Sequence, residues 1–223
     1  MAKSPVLTGT KGASLPQHVW GLVRDVVPPM HAAGRPFVAG ALTLGVFGWR
    51  YGWARRTSLV AAGTLALFFR APKRVPPTSV GAVVAPADGV VGKVDEAVPP
   101  VELNLGDDPL PRVSIAVSVL DPYVHRAPVA GTVAVVAHEE DGPTAVRIET
   151  PDGAAIGLVQ TAGPVAGHIV CDVAVGDEVA IGQTYGLVRF GSHVDAYLPA
   201  GSLIGLSVGQ RTVGGETILT VLS

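Results

Sequence analysis

The residues able to do covalent chemistry gather in three short segments. Ser192 follows Gly191 in LVRFGSHVDAYLPAG (Leu187–Gly201), between two runs of strand-like composition. Asp88 lies in APADGVV (Ala85–Val91), and His125 in LDPYVHRAPVAGTV (Leu120–Val133). A serine hydroxyl attacks a carbonyl once a base takes its proton, and the base needs a partner that orients it. A glycine ahead of the serine leaves the carbonyl unshielded and tolerates a strained turn. Taken alone, a Gly-Ser pair between strands is an ordinary hairpin tip. Two other chemistries compete for the same ground. His193-Val194-Asp195 near a β-rich DG turn suggests a metal-dependent peptidase, which needs three convergent ligands. The chain has six histidines, with His18 and His31 near its start, and no paired ligand spacing, so no metal site is predicted. A biotinyl- or lipoyl-type carrier would present a lysine at a hairpin tip, where this chain has Gly191-Ser192.

The elements that must position these residues are short strands. The 223 residues can hold one domain with a real core plus an appendage. Glycine (28) and proline (19) each outnumber all the aromatic residues together, and valine is abundant, which suits strands and turns better than a helical bundle. Beyond RVPPTS (Arg74–Ser79), strand-like runs alternate with turn residues at close intervals. The pattern predicts a mainly β fold, an antiparallel sandwich or partly closed barrel. PADGVVGKV and PVAGTVAVV echo each other, and VGDEVAIGQTYG adds a third turn-strand unit of the kind found in biotinyl/lipoyl-like barrels.

The front of the chain is different. Residues 1–75 carry a net +9, and residues 76–223 a net −11. Two uncharged apolar runs, Phe37–Trp49 and Thr57–Phe69, are thirteen residues each. As helices they would extend roughly 20 Å, short of the roughly 30 Å hydrocarbon core. Arg50, Arg55 and Arg56 join them, and Arg70, Lys73 and Arg74 follow. Basic flanks on every side disfavour a spanning hairpin and favour a monotopic one on an anionic membrane surface. Two buried core helices, or two true spans, remain the alternatives. The expected division is a flexible or amphipathic segment at 1–35, a membrane-associated helical hairpin at 36–74 and a β-rich catalytic unit at 75–223. No cleavable secretory signal is read, so the expected place is the cytoplasmic side of the cell membrane. The single cysteine, Cys171, excludes an internal disulfide and is read as a buried apolar filler. Nucleic acid is not an expected partner, and a homo-oligomer is left open.

In this order and spacing, APADGVV, LDPYVHRAPVAGTV and VGDEVAIGQTYGLVRFGS resemble the short-form phosphatidylserine decarboxylase family, from about Phe69 to the C-terminus. The resemblance implies self-cleavage at Gly191-Ser192. The Ser192 hydroxyl attacks the Gly191 carbonyl, and the amide becomes an ester. Loss of the α-proton then expels the upstream chain, and the resulting dehydroalanine tautomerises and hydrolyses to a pyruvoyl group with release of ammonia. Residues 1–191 and 192–223 become a large and a small chain. The ketone would condense with the amine of phosphatidylserine and act as the electron sink that pyridoxal phosphate provides elsewhere. An archaeal-type substrate, archaetidylserine, would use the same headgroup chemistry. A relative that no longer cleaves and serves as a binding module is the other alternative.

The resemblance also assigns roles. Asp88 matches the family's acidic position, and His125 is the expected base. Short-form relatives usually carry histidine two residues after the aspartate of an Asp-x-His segment, where this chain has Tyr123 after Asp121. In an extended segment, positions 123 and 125 share a face, so His125 could serve from the shifted place. A polar surface residue is the plain alternative for His125, and Tyr123 is itself a candidate proton donor. Arg126 and Arg189 could engage the lipid phosphate or carboxylate, or simply pair with the acidic body. His168 falls where relatives often have arginine, and is either a site residue or a structural strand-end residue. HEEDGPTAVRI (His138–Ile148) is shorter than the corresponding loop of relatives, which puts headgroup fit in question.

Overall fold

The computed structural model describes residues 31–48, 50–118, 121–138, 142–163, 169–188 and 192–222. The expected flexible segment at 1–35 therefore lies almost wholly outside the described residues, as do Arg189, Gly191 and His168.

Both apolar runs form helices, α1 (Arg35–Phe47) and α2 (Gly52–Phe68). Pro36 stands in the first turn of α1, where its missing N–H is not needed. α2 starts earlier than its apolar run, taking in Trp53, Arg55 and Arg56. The helices meet through small residues. Ala41, Ser58 and Ala62 are buried, and the Ser58 hydroxyl donates to the Ala41 carbonyl. Leu44, Val46, Phe47, Trp53, Val60 and Leu67 face outward instead. No described helix is long and apolar enough to cross a membrane.

The remainder is the antiparallel, mainly β body that the residue pattern predicts. Its largest sheet has eight strands in the order β12 (Arg211–Thr212), β2 (Gly89–Ala97), β3 (Leu110–Val117), β11 (Ser192–Tyr197), β7 (Ala155–Thr161), β6 (Thr144–Glu149), β5 (Gly131–His138) and β9 (Glu178–Val179). A three-stranded sheet runs β4 (Val124–Arg126), β10 (Thr184–Val188), β8 (Ile169–Cys171), and β1 (Ala82–Val84) pairs with β13 (Ile218–Val221). Alternation puts Val113, Ile115, Leu158 and Val194 on one face of the large sheet, where they meet Val83, Ala85, Tyr185 and Leu219 in the main core. The opposite face is partly covered by the β2–β3 connection, whose Leu103 packs on Ala145, Val159 and Tyr197.

The echoing Pro-led turns prove to be neighbours. Val84 N–H donates to the Pro128 carbonyl at 2.8 Å, and Arg126 N–H to the Pro86 carbonyl at 2.7 Å. The third unit joins them, with Gly182 N–H and the Ala127 carbonyl 2.8 Å apart. The helical pair is fastened to this body beside β4 and β10. Phe69 is buried with Val124 and Leu187, and it stacks on Phe37 at 5.6 Å between centroids.

Candidate functional site

Three strand ends converge where the chemistry is expected. β2 and β11 flank β3, and Val90 and His193 are both paired with Ala116. Ser192 opens β11 opposite Val117, so it starts at the same end of the sheet as the turn bearing Asp88. Gly89 follows Asp88 because a Cβ there would lie 2.3 Å from the Ala116 carbonyl oxygen. β10 ends at Val188, in the three-stranded sheet, and β11 begins at Ser192, in the large one. The expected scissile bond, Gly191-Ser192, thus falls at the start of β11.

Asp88 is buried in a turn tied down on several sides. Gly215 N–H donates to the Ala85 carbonyl and the Thr212 hydroxyl to the Ala87 carbonyl. Its carboxylate receives Arg74 at 2.6 Å. Burial nevertheless raises its pKa above the ordinary aspartate value, with Arg74 opposing. Arg74 reaches it from the segment read as a linker, and Val75 N–H is held by Glu216 at 3.1 Å. That segment therefore follows the helical pair and supplies the counter-ion of Asp88.

His125 is fully buried, so the surface-residue alternative does not hold. It lies opposite Gly186 on β10, a position where a Cβ would come 2.4 Å from the Val170 carbonyl oxygen. Its Nδ1 is 2.8 Å from the side-chain amide of Gln160, and its Nε2 is buried without a partner. With no charged neighbour to offset desolvation, the ring's pKa falls to about 4. At neutral pH the imidazole is uncharged and free to accept a proton.

The orienting contact on His125 therefore comes from Gln160, which the sequence reading missed, while Asp88 is paired with Arg74. A signal was present in GLVQTAG. Residues 158 and 160 share a strand face, so Gln160 places an amide where Leu158 places an apolar core side chain. Tyr185, equally buried, sets its ring 6.3 Å from the imidazole. Tyr123 is buried in the main core. Arg126 is buried as well, and its guanidinium donates to the carbonyls of Gly182 and Pro72. Cys171 is half-buried against the core, and burial pushes its thiol up. Between β5 and β6, residues 139–143 lie outside the strand pairing, and 139–141 lie outside the described residues. Among the described residues, no group of three or more His, Cys, Asp or Glu side chains is arranged to hold a metal.

The described residues thus hold a buried neutral histidine, a buried carboxylate paired with an arginine, and a strand that Ser192 opens. Comparison with known proteins identifies the family. The sequence model described as phosphatidylserine decarboxylase matches residues 62–146 and 143–220. The phosphatidylserine decarboxylase proenzyme of Mycobacterium marinum is 51% identical over 239 aligned residues, covering 100% of both chains. That of Mycobacterium ulcerans is 52% identical with the same coverage. That of Mycobacterium tuberculosis is 54% identical over 218 residues, covering 92% of this chain and 94% of the relative. With the motif order, the converging strand ends and half of all residues shared with relatives of full length, the chain belongs to the phosphatidylserine decarboxylase family.

Proposed function

We propose that this chain is a proenzyme that cleaves itself between Gly191 and Ser192 and then decarboxylates phosphatidylserine to phosphatidylethanolamine. The carrying observation is the buried, uncharged His125, whose free Nε2 belongs to the strand paired with the one that runs on toward Ser192. His125 takes the Ser192 hydroxyl proton as the oxygen attacks the Gly191 carbonyl. It returns that proton to the Ser192 nitrogen as the amide bond breaks. Asp88, held by Arg74, fixes the PADG turn and the charge beside this end of the sheet. Tyr123, Arg126, His168 and Arg189 stay as candidates for contact with the substrate headgroup.

Two orphaned polar atoms support a pyruvoyl group formed from Ser192. His125 Nε2 and Tyr185 Oη are buried polar atoms without partners, each at a cost of about 1–3 kcal/mol unless a polar group comes to meet it. Once formed, the group supplies a ketone that holds the substrate amine and takes up the electron pair released with carbon dioxide. A proton taken up from water replaces the lost carboxylate, and His125 is the residue proposed to relay it.

The helical pair supports the membrane reading. Small residues hold the helices together, while Phe47 (89% exposed), Leu44, Val46, Trp53 and Val60 face outward. A large exposed apolar surface flanked by arginines fits the interface of an anionic bilayer. In this reading residues 36–74 dock on the cytoplasmic side of the cell membrane and residues 75–223 form the catalytic unit, its echoing turns a biotinyl/lipoyl-like frame. Changing Phe47 and Trp53 together to serine should weaken co-flotation with anionic vesicles about tenfold or more. Unchanged flotation would rule the docking face out.

The proenzyme reading is tested by the purified chain itself. Denaturing electrophoresis should show two fragments, and the small one should resist Edman sequencing. Its mass should be below that of the serine-led peptide 192–223 by one ammonia, about 17 Da. A single intact band in active preparations would refute self-cleavage.

A further inference from the structure

Arg211 on β12 is the counter-ion of a buried acid without being buried itself. Its guanidinium donates to the carboxylate of Asp121, whose side chain is 2% exposed against 64% for Arg211. The other Asp121 oxygen accepts from Ser118 N–H at 3.1 Å, one residue beyond Val117, the cross-strand partner of Ser192. Asp121 is also near enough for its charge to bear on the Asp88 carboxyl. The ion pair therefore stands at the end of the large sheet where Ser192 begins. Strand register extends the picture. Arg211, Val90, Ala116 and His193 form one row across β12, β2, β3 and β11. Ala116 and His193 are exposed and Val90 is half-buried, so this row is a low, open floor that ends next to Ser192. Three strand spacings, roughly 14 Å, separate β12 from β11. An arginine side chain and a phospholipid headgroup together bridge that gap.

Two other arginines at this end are turned inward. Arg74 donates to Asp88, and the terminal nitrogens of Arg126 donate to the carbonyls of Gly182 and Pro72. Arg211 differs. A guanidinium carries five N–H donors, and among the described residues Asp121 is the one hydrogen-bond partner of this one. We infer that Arg211, held in place by Asp121, binds the phosphodiester of the substrate headgroup. The inference rests on the reading of Ser192 as the source of the reacting ketone. The headgroup offers two anions, and the reaction separates them. Its carboxylate leaves as neutral carbon dioxide, so a cation there would hold the ground state more tightly than the transition state. The phosphodiester keeps its charge from substrate to product. A cation there binds both states alike, which lowers KM and leaves kcat alone.

The first test is steady-state decarboxylation of phosphatidylserine in mixed micelles by the natural, self-cleaved enzyme and by Arg211→Gln. KM should rise about tenfold or more while kcat stays within about twofold, and Arg211→Lys should recover part of the loss. An unchanged KM beside a lowered melting temperature would make Arg211 a counter-ion of Asp121 alone and overturn the inference. A fall in kcat at unchanged KM would overturn it too, by placing the arginine at the reacting groups. Co-flotation of Arg211→Gln with anionic vesicles should match the natural chain, and a loss there would make Arg211 a bilayer contact instead. The second test uses the uncleaved Ser192→Ala chain with labelled arginine side chains, the Arg211 signal being assigned by its loss in Arg211→Gln. Glycerophosphoethanolamine should shift that signal saturably and ethanolamine should not. Equal shifts, or none, overturn the inference. A natural chain that never cleaves refutes the proenzyme reading, and this titration still decides the role of Arg211.

Discussion

Ser192→Ala is expected to yield one continuous chain of 22.7 kDa with no decarboxylase activity above background. Alanine lacks the oxygen that must become the ester, so neither fragment forms and the ketone has no source. The loss should be total rather than partial, because the reaction's electron sink is absent and not merely misplaced. Enzymes commonly accelerate their reactions by about 10⁶-fold or more, and the variant forfeits the whole of that factor. Ser192 opens β11 and its backbone pairs with Val117, so alanine should be accommodated without loss of the fold. Ser192→Cys separates the two stages. A thiol also attacks the preceding carbonyl, so cleavage should survive while the end group differs and decarboxylation is lost. Electrophoresis with a decarboxylation assay reads both. Cleavage in Ser192→Ala would place the scissile bond elsewhere.

His125→Asn should slow self-cleavage by about 10²–10⁴-fold, the usual contribution of a positioned general base. Asparagine preserves polarity and much of the volume, so the loss reads proton transfer more than packing. The same variant should change how stability depends on pH. His125 has a folded pKa of about 4, against 6.5 in the unfolded chain. As pH falls below 6.5 the unfolded chain takes up a proton that the folded chain refuses until about pH 4. Stability contributed by the neutral ring is therefore present above pH 6.5 and lost across that window, by about 3 kcal/mol. Asp88 works in the opposite sense. Its raised pKa keeps its proton longer in the folded chain, so its favourable share is present at acid pH and lost as pH rises. Subtracting the denaturation curves of the double variant His125→Asn/Ser192→Ala from those of Ser192→Ala, both uncleaved, isolates the histidine. Parallel curves from pH 7 to pH 4.5 would show that the ring is not held neutral.

The local pattern carried much of this fold because it depends on neighbours in sequence. Two-residue alternation in RVSIAVSVL became β3, with Val113 and Ile115 in the core, and the two apolar runs became helices. The echo of PADGVV and PVAGTV marked two turns that the structure bonds to one another. Helix ends were less legible. α2 begins at Gly52 rather than at the apolar run, since the intervening arginines are themselves good helix formers.

Composition, motif order and the Gly191-Ser192 pair were enough to indicate the family, because the chemistry needs those residue types whatever surrounds them. Long-range packing alone decided what each group became. His125 looked ambiguous beside Tyr123, and burial between two sheets made it a neutral ring. Asp88 matched the family's acidic position, and the chain leaving the helical pair brought Arg74 to it at 2.6 Å. Gln160, a single polar letter in a strand, met His125 across 35 positions of sequence. Such contacts are set by how sheets pack, and a pattern with a period of two residues cannot encode them.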